Sequence, residues 1–383
     1  MRFGYIFLFC IVFSNCFCND SLLIPQLFQN LLNKQIATNN FFIAGSFASY
    51  RQYNNNKNLK ADNNIFYTAL IAYTLQELKP WLNKNEIIVT DTIINRAKSA
   101  FDFYKNKKGR QSYNFWQTTN GVSFFPNDKI LFALRNKLSL PDDLDDTSII
   151  LAAKSISDTT AKNAHLQMQP YINGNQKFIK NTFEKYKKIP AYSTWYGVKM
   201  PIDFDFGVHC NILSFVNKYN LQWSKADTAT YNLIINMIDD SSLQNFPTYI
   251  SPYYSNTIVL LYHIGRLMES KKLIELEARK QKLIEIARNE LQKTNNLLNK
   301  VILSTTLMKW YATTPNFDLN RDVVEGSLNT TDFVYYTGHL FGHLNNGIKK
   351  IANKLNITQY KWFCGAFNDC LMLEYLILKH RKK

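Results

Sequence analysis

Apolar residues recur at spacings of three and four along almost the whole chain, while alternating strand-like runs are short and few. A chain with that period buries its apolar faces by packing helix on helix. The spacing predicts helices over 21–36, 64–82, 92–104, 130–138, 146–155, 158–169, 177–187, 207–219, 226–239, 256–268, 273–292, 299–311, 347–355 and 366–379. Strongly apolar segments such as 64–82 alternate with charged, amphipathic ones such as 92–104. Chains of this kind close into a double ring, with apolar helices inside and amphipathic helices outside. No Pro- or Gly-rich linker divides the chain. The expected fold class is therefore all-α: a single α/α toroid of about a dozen helices over 19–383. Three long, aromatic-rich connections, 112–128, 189–206 and 246–255, are expected to rim the mouth of its central cavity.

Residues 1–18 have the layout of a signal peptide. Arg2 supplies the positive start, Phe3 to Phe13 the apolar stretch, and Ser14 to Cys18 the small or polar cleavage zone. At about eleven residues the apolar stretch is short of the about twenty needed to span a bilayer. No later run is long enough, so no transmembrane helix is expected. The product is expected to be secreted or periplasmic. A lipid anchor on Cys16 or Cys18 ranks second, because Phe13, Ser14 and Asn15 make a poor lipobox. The net charge of +16 is spread along the chain. Export and the lack of a basic cluster speak against a nucleic-acid partner. Past the signal, Cys210, Cys364 and Cys370 remain, too few for a disulfide framework. They read as core thiols or as one bridge, Cys364 to Cys370. Asn19, Asn329 and Asn356 head glycosylation sequons for a eukaryotic host.

Against this basic background, Asp142, Asp143, Asp145 and Asp146 crowd directly before the apolar run Ile149-Ile150-Leu151. Like charges a few ångströms apart raise one another's pKa, which favours a protonated carboxylic acid near neutral pH. Acids also cap helices and suit the helix dipole, so a helix start explains the same residues. The order Asp143-Leu144-Asp145-Asp146-Thr147 fits the Asp-x-Asp-Asp-Thr signature of class II terpenoid cyclases. On this motif, and on helix starts at 61–71 and 205–213, the chain resembles the terpenoid cyclase and protein prenyltransferase superfamily of α/α toroids. The resemblance implies Asp145 as the general acid that protonates an alkene or epoxide, with Asp143 and Asp146 tuning its proton. The usual second helical domain and the repeated Gln and Trp motifs of the triterpene members are absent. Asp142, Asp143 and Asp146 also match the magnesium-binding Asp-Asp-x-x-Asp pattern of class I synthases. No partner motif follows, and Thr147 favours the class II form.

Aromatic residues supply the expected substrate contacts: Trp116, Phe125, Trp195, Tyr196 and Tyr254, joined by Asp205 and Asn211. Aromatic faces stabilise cations, stack on sugars, or simply fill cores. Asp203, Asp205, His209 and Cys210 lie close in sequence, and His339 and His343 have the spacing of a helical metal pair. Spacing alone is a weak signal, so no metal and no cofactor is expected. The partner is then a hydrophobic small molecule or a glycan. The leading expectation is a cyclase- or isomerase-like enzyme acting on an isoprenoid or lipid through Asp145. The alternatives are a glycosidase or polysaccharide lyase, with Asp145 paired to Asp203 or Asp205, and a non-catalytic binding protein.

Overall fold

A computed structural model of the chain describes residues 23–54, 56, 58–118, 125–127, 140–197, 199–315, 317, 319, 321–328, 331–339, 346, 347, 349, 351 and 359–381. The expected signal segment, the helix over 130–138, His343 and most of the helix over 347–355 lie outside these residues.

Six apolar helices form the centre of the fold. They are α2 (Phe66–Leu78), α4 (Leu144–Lys154), α6 (Phe206–Lys218), α8 (Thr257–Ser270), α10 (Leu297–Lys309) and α12 (Gly365–Arg381). Each packs on the next, and α12 returns to α2, so the six close a ring. In α4 every residue from Leu144 to Ala153 is buried, the polar first turn Asp145-Asp146-Thr147-Ser148 as well as the apolar run that follows it. Around the ring lie α1 (Leu23–Lys34), α3 (Lys84–Phe101), α5 (Asp158–Met168), α7 (Lys225–Asp239), α9 (Lys280–Lys293) and α11 (Arg321–Leu328). These are one-sided: α3 buries Ile93, Ile94, Ala97 and Phe101 and leaves its other face to water. It starts earlier than its apolar period suggests because Asn83 and Glu86 form a capping box. No described helix is long and apolar enough to cross a membrane.

The all-α expectation is corrected by a four-stranded antiparallel sheet, which makes the chain mixed α and β. Its strands are β1 (Ser49–Tyr53), β2 (Lys60–Asp62), β3 (Tyr336–His339) and β4 (Gln359–Phe363), in the order β2-β1-β4-β3. Tyr50 pairs with Phe363 and Tyr336 with Trp362, so the two ends of the chain meet in one sheet. Because β2 leads into α2 and β4 into α12, the sheet stands over the N-terminal ends of those two inner helices. A further correction concerns 177–187, where only a 3-10 turn, Glu184–Tyr186, is formed. The segment instead wraps Asn173, whose amide donates to the carbonyls of Lys187 (2.7 Å) and Ile189 (2.9 Å) and accepts from Ile179 N (2.7 Å). Cys210, Cys364 and Cys370 are buried free thiols, so the bridge from Cys364 to Cys370 is not formed.

Asp62 fastens the sheet to the helices. It takes Arg51 Nη1 at 2.9 Å, Trp116 Nε1 at 3.0 Å and Asn64 Nδ2 at 2.9 Å, all out of water. Removing one partner of a buried ion pair strands the other charge. Arg51→Leu is expected to lower stability by about 3–5 kcal/mol, read as a fall in the urea midpoint; an unchanged midpoint would deny the sheet this anchor.

Candidate active site

The acidic motif opens α4. Asp143 is the N-cap, its Oδ1 accepting from Asp146 N at 2.7 Å, while its backbone is bridged to Tyr113 on one side and Trp195 on the other. Asp145, on the first turn, is set against α6 and the connection that carries Tyr254. There Asp145 Oδ1 accepts from Asn211 Nδ2 of α6 at 2.7 Å and Oδ2 from Tyr254 Oη at 2.5 Å. Tyr254 can come so close because Gly207 leaves room: a Cβ there would lie 2.3 Å from the Tyr254 ring.

These acids are not surface caps. Asp143, Asp145 and Asp146 are 4, 4 and 1 % exposed. Burial disfavours the ionised form and pushes Asp145 up to about 6, against the lowering effect of Tyr254, Asn211 and Arg266. Asp143 and Asp146 are raised well above the carboxylate range, by burial first and then by the neighbouring acids. Each of the two is thereby biased toward its neutral form. Asp142 belongs to a different environment, accepting from Arg110 Nη2 at 3.0 Å, Ser112 Oγ at 2.5 Å and Asn106 Nδ2 at 2.5 Å.

Asp205 begins α6 as Asp143 begins α4. Its Oδ1 accepts from Val208 N (3.1 Å) and Ser251 Oγ (2.7 Å), and its Oδ2 from Tyr253 N (2.8 Å). Burial raises it to about 7, with Asp145 contributing. Its oxygens are occupied in holding the 251–254 connection, which delivers Tyr254 to Asp145.

An aromatic roof covers the acids. Tyr336 of β3 stacks on Phe115 (5.5 Å between centroids) and Tyr253 (6.1 Å) and lies 4.3 Å from Phe66 and 5.5 Å from Tyr254. Burial first, and then the charges of Asp145, Asp143, Asp146 and Asp205, push its hydroxyl up, and β3 sets its ring against Tyr254, the phenol that meets Asp145. Trp195 meets Tyr253 edge-on at 5.9 Å.

Compared with family models, curated proteins and solved structures, the chain matches none.

Of the residues singled out from sequence, Asp143, Asp145, Asp146, Asp205, Asn211, Tyr254 and Trp195 come together here. Trp116 and Phe125 do not reach Asp145: Trp116 binds Asp62, and Phe125 packs on Trp116 (5.1 Å) and Tyr360 (4.5 Å) at the sheet. Tyr196 lies under the Arg110 guanidinium, 4.4 Å away, as part of the Asp142 anchor. His209 gives Nε2 to the Tyr192 carbonyl at 2.8 Å, and burial lowers it to about 4. Among the described residues no group of three or more His, Cys, Asp or Glu side chains is placed to hold a metal ion. Sequence reasoning passed over His263 and Arg266. Their signal was present as two charged-type residues inside the otherwise apolar run Thr257 to Met268.

The sign of the pH dependence follows. Asp145 holds its proton more tightly when folded, at about 6, than unfolded, at about 3.9. Its contribution to stability is complete below the lower value and is lost as pH rises through the higher one. Between pH 4 and 7 the native chain should therefore lose up to about 3 kcal/mol more stability than Asp145→Asn. Urea unfolding of both proteins at the two pH values measures this; parallel curves would contradict the burial of an acid there.

Proposed function

We propose that the chain is an enzyme in which Asp145 is a Brønsted acid toward an apolar, alkene-bearing substrate, catalysing cyclisation or isomerisation. The observation that carries this reading is the setting of Asp145: a carboxyl out of water, held on both oxygens by neutral donors, with its proton affinity raised toward neutrality. A group with a pKa near the working pH is suited to give up a proton and take it back.

In the step proposed, the alkene π pair forms a C–H bond with the Asp145 proton, leaving a carboxylate and a carbocation. A second alkene then closes a ring or a neighbouring carbon releases a proton. Return of that proton to Asp145 regenerates the acid, so the net change needs no co-reactant. Tyr254, Tyr336, Phe115 and Trp195 present ring faces and edges around this point, and ring quadrupoles favour a cation. A neutral isoprenoid fits best with the export expected from residues 1–18.

Carbohydrate cleavage by two carboxyls draws support from Asp205, which like Asp145 binds its proton near neutrality. The support is thinner, because both Asp205 oxygens are already committed to Val208, Ser251 and Tyr253. The deciding assay incubates the full chain with neutral linear isoprenoids and analyses products by mass spectrometry. Asp145→Asn should fold, shown by circular dichroism, and turn over at least about a hundredfold more slowly. Equal turnover by the folded variant would overturn the proposal, and conversion of glycans alone would favour the second reading.

A further inference from the structure

Beside the aromatic roof, three connections of the chain interlock. Residues 173–189 precede α6, residues 246–256 precede α8, and residues 346–351 lie before β4. Phe183 meets Phe246 at 5.4 Å and Tyr249 at 4.5 Å. Asn346 accepts from Tyr249 Oη at 2.5 Å and donates to the Thr182 carbonyl at 2.8 Å. Lys349 Nζ donates to the Asn181 carbonyl at 3.0 Å and lies 4.8 Å over the Tyr249 ring. Asp203 fixes the junction to the roof, accepting from Asn181 Nδ2 at 3.0 Å and from Tyr253 Oη at 3.2 Å.

On its solvent side this junction keeps large apolar side chains in water. Phe178 is 69 % exposed, Phe246 49 % and Ile351 61 %. Single exposed apolar residues are ordinary. Here one rises from each of the three braced connections. The backbone at Phe178 is tied down on both sides: Ile179 N donates to Asn173 Oδ1 at 2.7 Å, and Gly174 N donates to the Lys177 carbonyl at 2.9 Å. The charge around these side chains is one-sided. Residues 173–189 carry Lys177, Lys180, Lys185, Lys187 and Lys188 against a single acid, Glu184. Glu184 takes Lys187 and Asp240 takes Lys185, while Lys180 and Lys188 stand exposed.

We propose that this junction is a docking surface for an anionic lipid bilayer, with Phe178, Phe246 and Ile351 entering the acyl boundary and the lysines meeting the headgroups. The combination selects the partner. Aromatic and aliphatic side chains gain only from an apolar phase, lysines gain from a negative surface, and an anionic interface over hydrocarbon offers both. A polyanionic glycan or nucleic acid would satisfy the lysines and leave the apolar side chains in water. The place also suits the site. Two of these connections lead into α6 and α8, and Asn211 of α6 and Tyr254 just before α8 are the donors to Asp145. The surface does not depend on Asp145 being an acid; it adds to that reading the phase from which an apolar substrate would reach the roof.

Sedimentation of the full chain with vesicles of phosphatidylcholine, alone or mixed with phosphatidylglycerol, tests the surface. The native chain should bind the mixed vesicles and bind the neutral ones at least about tenfold more weakly. The double variants Phe178→Ala/Phe246→Ala and Lys180→Glu/Lys188→Glu should each bind mixed vesicles at least about tenfold more weakly than the native chain. All four positions are exposed, so both variants should fold, checked by circular dichroism. In Phe178→Trp, lipids brominated in the acyl chain should quench emission beyond that lost by the native chain. Absent binding to mixed vesicles, equal binding to both kinds, or native-like binding by either double variant would overturn the proposal. So would an oligomer that the two Phe substitutions dissolve, which would give the surface to a second copy of the chain. Asp145→Asn should bind as the native chain does, so failure of the acid and failure of the surface are read separately.

Discussion

Holding carboxyl groups out of water is the constraint on which the rest of this structure turns. Asp143, Asp145, Asp146 and Asp205 sit at the starts of α4 and α6, where each ionised group would carry a large desolvation cost. The fold meets that cost in two ways. Asp143 and Asp205 take helix N–H groups as caps, and Asp205 adds Ser251 and the Tyr253 backbone. Asp145 instead receives side-chain donors, Asn211 and Tyr254, which can be exchanged for a proton with little rearrangement. One set of acids is structural and one acid is left adjustable.

The sheet makes that burial possible. The ring of six helices has the starts of α2 and α12 beneath a sheet that joins residues 49–62 to residues 336–363. Through it β3 places Tyr336 over the acids, and Asp62 ties the sheet to Trp116 and Arg51. Loss of the sheet would open the cluster to water, and the raised proton affinities would fall toward ordinary values. Stability of the cover and chemistry of Asp145 are thus linked.

Much of this was legible in the sequence where the signal was local. The apolar period marked α2, α4, α6 and α8 within a few residues, and the carboxylate order singled out Asp145, whereas Asn211 stood out only within the helix start at 205–213 and Tyr254 only as one aromatic among many. What escaped was non-local. Strands of three to five residues such as Ser-Tyr-Arg-Gln-Tyr and Lys-Ala-Asp carry too little alternation to announce themselves, and β1 finds β4 across most of the chain. Trp116 and Phe125 were read as substrate contacts because aromatics do several jobs; only the placement of Asp62 and Tyr360 assigns them to the sheet. His263 escaped because a lone histidine in an apolar helix has no meaning until Asn211 and Tyr335 are seen on either side of it.

Infrared difference spectroscopy of the full chain near pH 5, native minus Asp145→Asn, bears on the central claim most directly. A protonated carboxyl absorbs well apart from a carboxylate. The account predicts that the native protein shows a protonated-carboxyl band at that pH which the variant lacks, and which fades as the pH passes about 6. A carboxylate band in its place, already present at pH 5, would show that Asp145 is ionised and would contradict the account.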